Sequence, residues 1–380
     1  MKNRIFIIVL AVIALLVAGF LLLRLAERLQ KKDNLRVGVI LPLTGSSSYI
    51  GNSVKNGMEI AVDEFNSRET KPFELEIEYL DSSGSPSKVV TNWQSLMATS
   101  SPQTVIAVQE GVKGIIPLAE SDERVLLATS VPDNGIAGVN PWTFRFFINA
   151  KTDSETIATY AISRLGKKTF GVIYVNDSMG ISYRDSFKNA VGSQNGTVVS
   201  EQSFRPEDTE FRTQVLRLKE AKPEAIYIVG YGLSLSNIPL QLREQGVTST
   251  LLAVGAISQP EIMAAAGESV EGCYYTTSDF FTFAPTTPEL KSFVDAYKAK
   301  FGNVPVFFEV FGYDSLRIMI HAADDNGTEP KKIRDGLASV RNARFAVGTV
   351  TVGPDHDIDF PVVVKMIKDG NWASAVPSPN

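Results

Sequence analysis

The chain is poor in the side chains that carry most covalent and acid–base chemistry. Of its 380 residues, one is cysteine, Cys273, and two are histidine, His321 and His356. A single cysteine excludes an intrachain disulfide and any cysteine-based zinc site. An exported form therefore folds without a covalent staple, which a core of this size permits. The body of the chain also lacks a basic cluster, and the net charge is −5. Nucleic-acid binding has no electrostatic footprint here. No G-x-S-x-G elbow, Walker motif or G-x-G-x-x-G after a strand is found. His321 sits among apolar neighbours in "DSLRIMIHAADD" and reads as a packed helix residue. His356 lies in "GPDHDIDF", where Asp355, Asp357 and Asp359 alternate loosely like a calcium loop. The glycine and closing bidentate acid of such a loop are missing, so a polar hairpin turn is the better reading. Nothing demands an enzyme, a metal or a cofactor.

What is present begins with a long apolar run. Lys2 and Arg4 precede an uninterrupted stretch from Ile5 to Leu23. As a helix rising 1.5 Å per residue it would nearly match the hydrocarbon core of a bilayer. A cleaved signal and an uncleaved anchor compete. Val17-Ala18-Gly19 is a poor small-x-small cleavage site, and Phe20-Leu21-Leu22-Leu23 continues the run beyond it. A lipoprotein signal would need cysteine where Phe20 stands. The anchor is favoured, with secretion or periplasmic release after cleavage as the alternative. Residues 24–34 read as a charged stem, so residues 1–34 form anchor and stem.

Beyond the stem the composition is that of a globular protein, with 44% hydrophobic and 21% charged residues. The length suits about two domains at ~150 residues each. Continuous apolar runs such as "FGVIYV" and "AIYIVG" read as strands covered on both faces. Helical patterns lie between them. In Asn52–Ser67, for example, Val54, Met58, Ala61, Val62 and Phe65 form one stripe; Glu207–Glu220 reads similarly. The alternation occurs twice, over Leu35–Ser130 and Thr169–Gly255. It predicts an α/β protein with two parallel-sheet units. In such sheets ligands bind outside the carboxyl ends of the strands. The small polar loop "TGSSSY" after "RVGVILPL" lies at such an end, although a plain turn with Ser as helix N-cap would look the same.

"LRVGVILPLTGSSSYIGNSVKNGMEIAVDEFN" resembles the start of the periplasmic leucine/isoleucine/valine-binding protein family. "DSSGSPSKVVTNWQSLM", with Asp81 and Pro86, is similar to that family's second strand end and helix. "TFGVIYVNDSMGISYRDSFKNAV" resembles the opening of its second lobe. "DTEFRTQVLRLKEAKPEAIYIVGYG" and "EVFGYDSLRIMIHAA" continue the ordered set, which spans Leu35 to Trp372. The resemblance implies two doubly wound lobes, as in type I periplasmic binding proteins. Three segments would join them, near Phe147–Asn149, Thr277–Phe280 and Ala346–Val350. Lobe 1 would comprise 35–147 plus 281–345, and lobe 2 would comprise 148–280 plus 346–375. It further implies an extracytoplasmic solute-binding protein that closes on a small molecule and serves an ABC permease. A ligand-sensing module reporting to a partner membrane protein is the alternative.

By the same resemblance, the carboxylate-binding position of amino-acid binders falls on Gln109, Glu110 and Gly111. Glu110 would repel a carboxylate there, or cap the following helix itself. Asp133 follows the fourth strand. Tyr231 matches an aromatic that touches ligand, while Met179 replaces another. The acidic partner of an α-ammonium group aligns with Gly255 or its neighbours and is missing. With Tyr49 and Tyr231 available from opposite lobes, these residues suggest a neutral or cationic ligand of the amino acid, amide, amine or polyol class.

Overall fold

The computed structural model describes residues 33–45, 47–108, 111–278 and 287–375. The anchor expected in residues 1–34 lies outside the described residues but for its last two. Among the described residues no helix is long and apolar enough to cross a membrane.

The first half of the chain alternates strand and helix. It runs β1 (Asp33–Leu41), α1 (Ser48–Asn66), β2 (Phe73–Asp81), α2 (Pro86–Thr99), β3 (Thr104–Val108), α3 (Val112–Ser121), β4 (Val125–Thr129) and β5 (Thr143–Phe146). These strands form one all-parallel sheet in the order β2-β1-β3-β4-β5. The chain continues through α4 (Ala150–Ser163), β6 (Thr169–Val175), α5 (Ser178–Ser193), β7 (Thr197–Phe204), α6 (Arg212–Ala221), β8 (Ala225–Val229), α7 (Ser234–Glu244), β9 (Thr250–Ala253), α8 (Pro260–Ala266) and β10 (Tyr274–Ser278). Here the order is β7-β6-β8-β9-β10, again parallel. Both sheets therefore reverse direction at the same place, between their first and third strands. A crevice at the carboxyl ends of those strands is the expected ligand position in each.

The last part of the chain serves both units. Helices α9 (Pro288–Phe301), α10 (Phe307–Asn326) and α11 (Pro330–Ser339) return to the first core, as does the small antiparallel sheet of β11 (Ala343–Phe345), β12 (Gly348–Val352) and β13 (Ile358–Asp359). Strands β14 (Val362–Lys368) and β15 (Asn371–Ser374) then extend the second sheet antiparallel beside β10. Two separate apolar cores result.

The chain leaves the first core at Ile148 and enters the second at Ala150. Between them Asn149 caps α4 by accepting from the Thr152 N–H at 2.7 Å. Of the second expected passage, Thr277–Phe280, Thr277 and Ser278 end β10 and the rest lies outside the described residues. The third differs from the sequence expectation of Ala346–Val350. Ala346, Val347, Val350 and Val352 are buried in the first core. The Asp314 carboxylate fixes the segment by accepting from the N–H groups of Ala346 and Val347 at 3.1 and 2.8 Å. The passage comes after β13 instead, around Phe360 and Pro361, where a proline interrupts strand hydrogen bonding.

Other differences have local causes. Strand β7 shows no apolar run because it is a half-exposed edge. Strand β5 is four residues long and contains a buried arginine, Arg145. The helix expected over Glu207–Glu220 begins only at Arg212, because the preceding turn is held by Asp208 accepting from the Arg205 N–H at 2.8 Å.

Candidate ligand-binding site

One cleft of about 1570 Å³ lies between the two units. It is lined by loops that follow β1, β4, β6 and β8, and by the start of α3, where the parallel strands end. The loop after β1 is held by Asp81, at the end of the neighbouring β2. Its carboxylate accepts from the Leu43 and Thr44 N–H groups at 2.8 and 3.2 Å and from the Thr44 hydroxyl at 2.6 Å. It also accepts from Ser83 N–H at 2.7 Å. Burial alone would raise the pKa of Asp81, but these hydrogen bonds outweigh it and hold the group well below the usual carboxylate range. Ser47 stands at the N-cap of α1 and lines the cleft; its side chain makes no capping bond. Tyr49 follows in the first turn and meets Phe308 edge-on, with ring centroids 6.2 Å apart.

From the same side come Gly111, Lys113, Ser130 and Asp133. Gly111 has φ 89°, a left-handed conformation that starts α3. Lys113, in the first turn of α3, pairs with Asp133 at 3.3 Å. The loop carrying Asp133 is tied from beneath by Arg145. Its guanidinium donates to the carbonyls of Pro132 and Asp133, and forms a bidentate pair with Asp357, both contacts 2.6 Å. Asp357 is thus engaged by an arginine, which accounts for one of the acids noted around His356. His356 itself stacks on Phe144 at 4.3 Å. Aromatic rings close this wall, with Phe147–Phe307 and Phe307–Phe308 centroids at 5.4 and 5.2 Å.

The opposite wall belongs to the second sheet. Asp177 caps α5 by accepting from the Gly180 N–H at 2.8 Å and takes a second bond from the Tyr231 hydroxyl at 3.0 Å. Burial is the largest cause of its raised pKa, and the Asp133 charge from the other wall adds to it. Met179 and Tyr231 line the cleft beside it. Deeper, Asp153 is fully buried under Tyr183 and Tyr227, whose hydroxyls lie 3.4 and 3.1 Å from its oxygens. Burial pushes its pKa up to about 7 against the hydrogen bonds it receives. Gly255 also faces the cleft. A Cβ there would come within 2.7 Å of the Thr276 carbonyl oxygen and 3.2 Å of the Phe307 ring, so no acidic side chain fits at this position.

Of the residues singled out in the sequence, Tyr49, Gly111, Asp133, Met179 and Tyr231 are brought into this one cleft. Gln109 and Glu110 lie outside the described residues. Sequence reasoning missed Ser130, Lys113, Asp177 and the Phe307–Phe308 pair. Asp177 was within reach, since it follows the apolar run "FGVIYV" in the same way that the Tyr49 loop follows β1. Phe307 and Phe308 carried no signal, because they enter from a helix 250 residues further along the chain than Tyr49 or more.

A pair of similarly wound lobes with a cleft between their facing strand ends defines the architecture of a type I periplasmic binding protein. The chain belongs to the periplasmic binding protein family, whose model matches residues 34–371. It is 26% identical over 349 residues to the Leu/Ile/Val-binding protein homolog 3 of Brucella melitensis, covering 86% of this chain and 89% of that one. It is 22% identical to the leucine-, isoleucine-, valine-, threonine- and alanine-binding protein of Pseudomonas aeruginosa, covering 91% of each. Among solved structures it is similar to the leucine-binding protein LivK of Thermotoga maritima, with a TM-score of 0.81, 25% identity and coverage of 90% and 98%. The fold is also that of a Rhodopseudomonas palustris solute-binding protein in complex with benzoate, with a TM-score of 0.79, 19% identity and coverage of 90% and 95%.

Proposed function

We propose that this protein is an extracytoplasmic solute-binding subunit that captures a small molecule between its lobes and hands it to an ABC-type importer. The observation that carries this reading is a cleft lined by matching loops from both sheets. Lobe 1 is taken as 33–148 plus 287–359, and lobe 2 as 150–278 plus 362–375. Each wall supplies part of the contact surface, so the complete set of contacts exists only in the closed state. A ligand then shifts the open–closed population by its differential affinity for the two states. The cleft exceeds the roughly 300–1,000 Å³ of typical small-ligand pockets, which leaves room for closure. The work of the site is binding, and the importer supplies the energy.

The relatives named for branched-chain amino acids and the shared fold support the transport class. The N-terminal apolar run would tether the protein to the cell membrane, raising its effective concentration near the permease. Native mass spectrometry of the protein isolated from its own host tests the reading. A retained small molecule, lost on denaturation, is expected, together with co-purification of permease components. A protein that retains nothing, and whose scattering profile is unchanged by any candidate solute, would refute it.

A further inference from the structure

We propose that the ligand carries an ammonium group, which Asp133 and Asp177 hold between the lobes with the Ser130 hydroxyl as a third acceptor. This inference deepens the solute-binding reading and rests on it.

The first observation is charge. Among the described residues the cleft is lined by seven carboxyl side chains and one ammonium group, that of Lys113. Lys113 is already paired with Asp133. It offsets one of the two facing carboxylates and leaves the other to be matched from outside. An anionic solute would enter a field of its own sign, whereas a cation is drawn into it.

The second observation is where the charges sit. Asp133 belongs to the wall after β4 and Asp177 to the wall after β6, so the hinge separates them. The Asp133 charge reaches across the cleft to Asp177, where it is among the causes that raise the pKa. Both are held in place. Asp133 sits on a loop tied down by Arg145, and Asp177 is oriented by Tyr231 and Gly180. Swinging the lobes together brings two like charges closer. A ligand cation between them converts that repulsion into two attractions, so closure is coupled to the sign of the ligand's charge.

The third observation is independent of charge. Ser130 is 3% exposed and lines the same cleft. Its hydroxyl has no hydrogen-bond partner among the described residues. Its backbone is held at φ 56°, a left-handed conformation that is strained for serine. A buried, unpartnered hydroxyl on a strained strand end is costly to keep unless something in the cleft satisfies it. A primary ammonium offers three donors and no acceptor. Two carboxylates and one hydroxyl oxygen supply acceptors for all three. The aromatic wall of Tyr49, Phe307 and Phe308 then receives the apolar body of the ligand.

The test uses the full-length protein and two charge series of constant body: phenethylamine, 3-phenylpropanamide and 3-phenylpropanoate, and butylamine, butanamide and butanoate. Binding is read by calorimetry and closure by small-angle scattering. The expected result is that an amine binds, its carboxylate counterpart does not, and D133N and D177N each weaken the amine at least tenfold. Carboxylate or amide binding that D133N and D177N leave within twofold would overturn the proposal, while solute binding as such would stand. If neither series binds, the ligand-free double variant D133N/D177N decides. A smaller radius of gyration than the parent protein supports charge-opposed closure, and an unchanged radius overturns it.

Discussion

Asp153 shows how much of this molecule is decided by single buried groups. It is enclosed by Tyr183 and Tyr227, and burial pushes its pKa up to about 7. Asp314, also fully buried, is pushed up to about 6 for the same reason, against the pull of Arg317 and two backbone N–H groups. Both folded-state values lie above the unfolded ones, so the folded state binds these protons more tightly. Stability is therefore fullest below about pH 4 as far as these two groups are concerned, and it declines as pH rises to about 6 for Asp314 and about 7 for Asp153. D153N should flatten that decline, and its melting temperature should exceed the parent's at pH 8 by a few degrees but not at pH 4.5; calorimetric melting at the two pH values checks this. The Arg145–Asp357 pair is the opposite case, a buried guanidinium matched by a half-buried carboxylate. D357N leaves the guanidinium uncompensated and should cost ~3–5 kcal/mol in urea unfolding. Asp357 was visible in the sequence only as one of three alternating acids. Its role was not, because its partner lies 212 residues away.

At the scale of elements, the packing of α1 on α10 shapes the first wall of the cleft. The two helices touch backbone to backbone. A Cβ on Gly57 would lie 1.9 Å from the Glu309 carbonyl oxygen, and one on Gly312 would lie 2.1 Å from that of Val54. Glycine at both positions lets α10 bring Phe307 and Phe308 to the cleft beside Tyr49. G57A or G312A should push the helices apart, lower stability by ~1–3 kcal/mol, and weaken ligand binding by displacing those rings. Denaturant unfolding and a binding isotherm on the same variant check both effects. The apolar stripe of α1 was legible from Val54, Met58 and Phe65, since periodicity reports which face is buried. Which helix covers that face was not legible, because α10 comes from the far end of the chain. Strands with continuous apolar runs were equally readable. Edge strand β7 and the short β5 were not, since half-burial and a paired charge erase the pattern.

For the whole molecule, the proposed function turns on relative motion of the two lobes. Leu233 and Val304 stand on opposite rims of the cleft and are 66% and 49% exposed. Cysteines placed there (L233C and V304C) can be labelled selectively, because Cys273 is fully buried and its thiol is pushed up to about 12, chiefly by burial. The parent protein should leave Cys273 unmodified by a thiol reagent at pH 8 until denatured. The labelled double variant should show higher energy transfer when ligand binds, and an unchanged transfer at saturation would contradict lobe closure. The sequence by itself determined that two α/β units would form, and that the loop before Tyr49 and the residues near Asp133 and Tyr231 would lie at strand ends. Those facts follow from local periodicity and from the rule that parallel strands are joined by crossovers. Only the tertiary structure decided that the third crossing comes after β13, that Asp133 and Asp177 line one cleft, and that Phe307 and Phe308 complete the wall. Each of these joins residues far apart in the chain, and side chains that meet only after folding leave no periodic trace in the sequence.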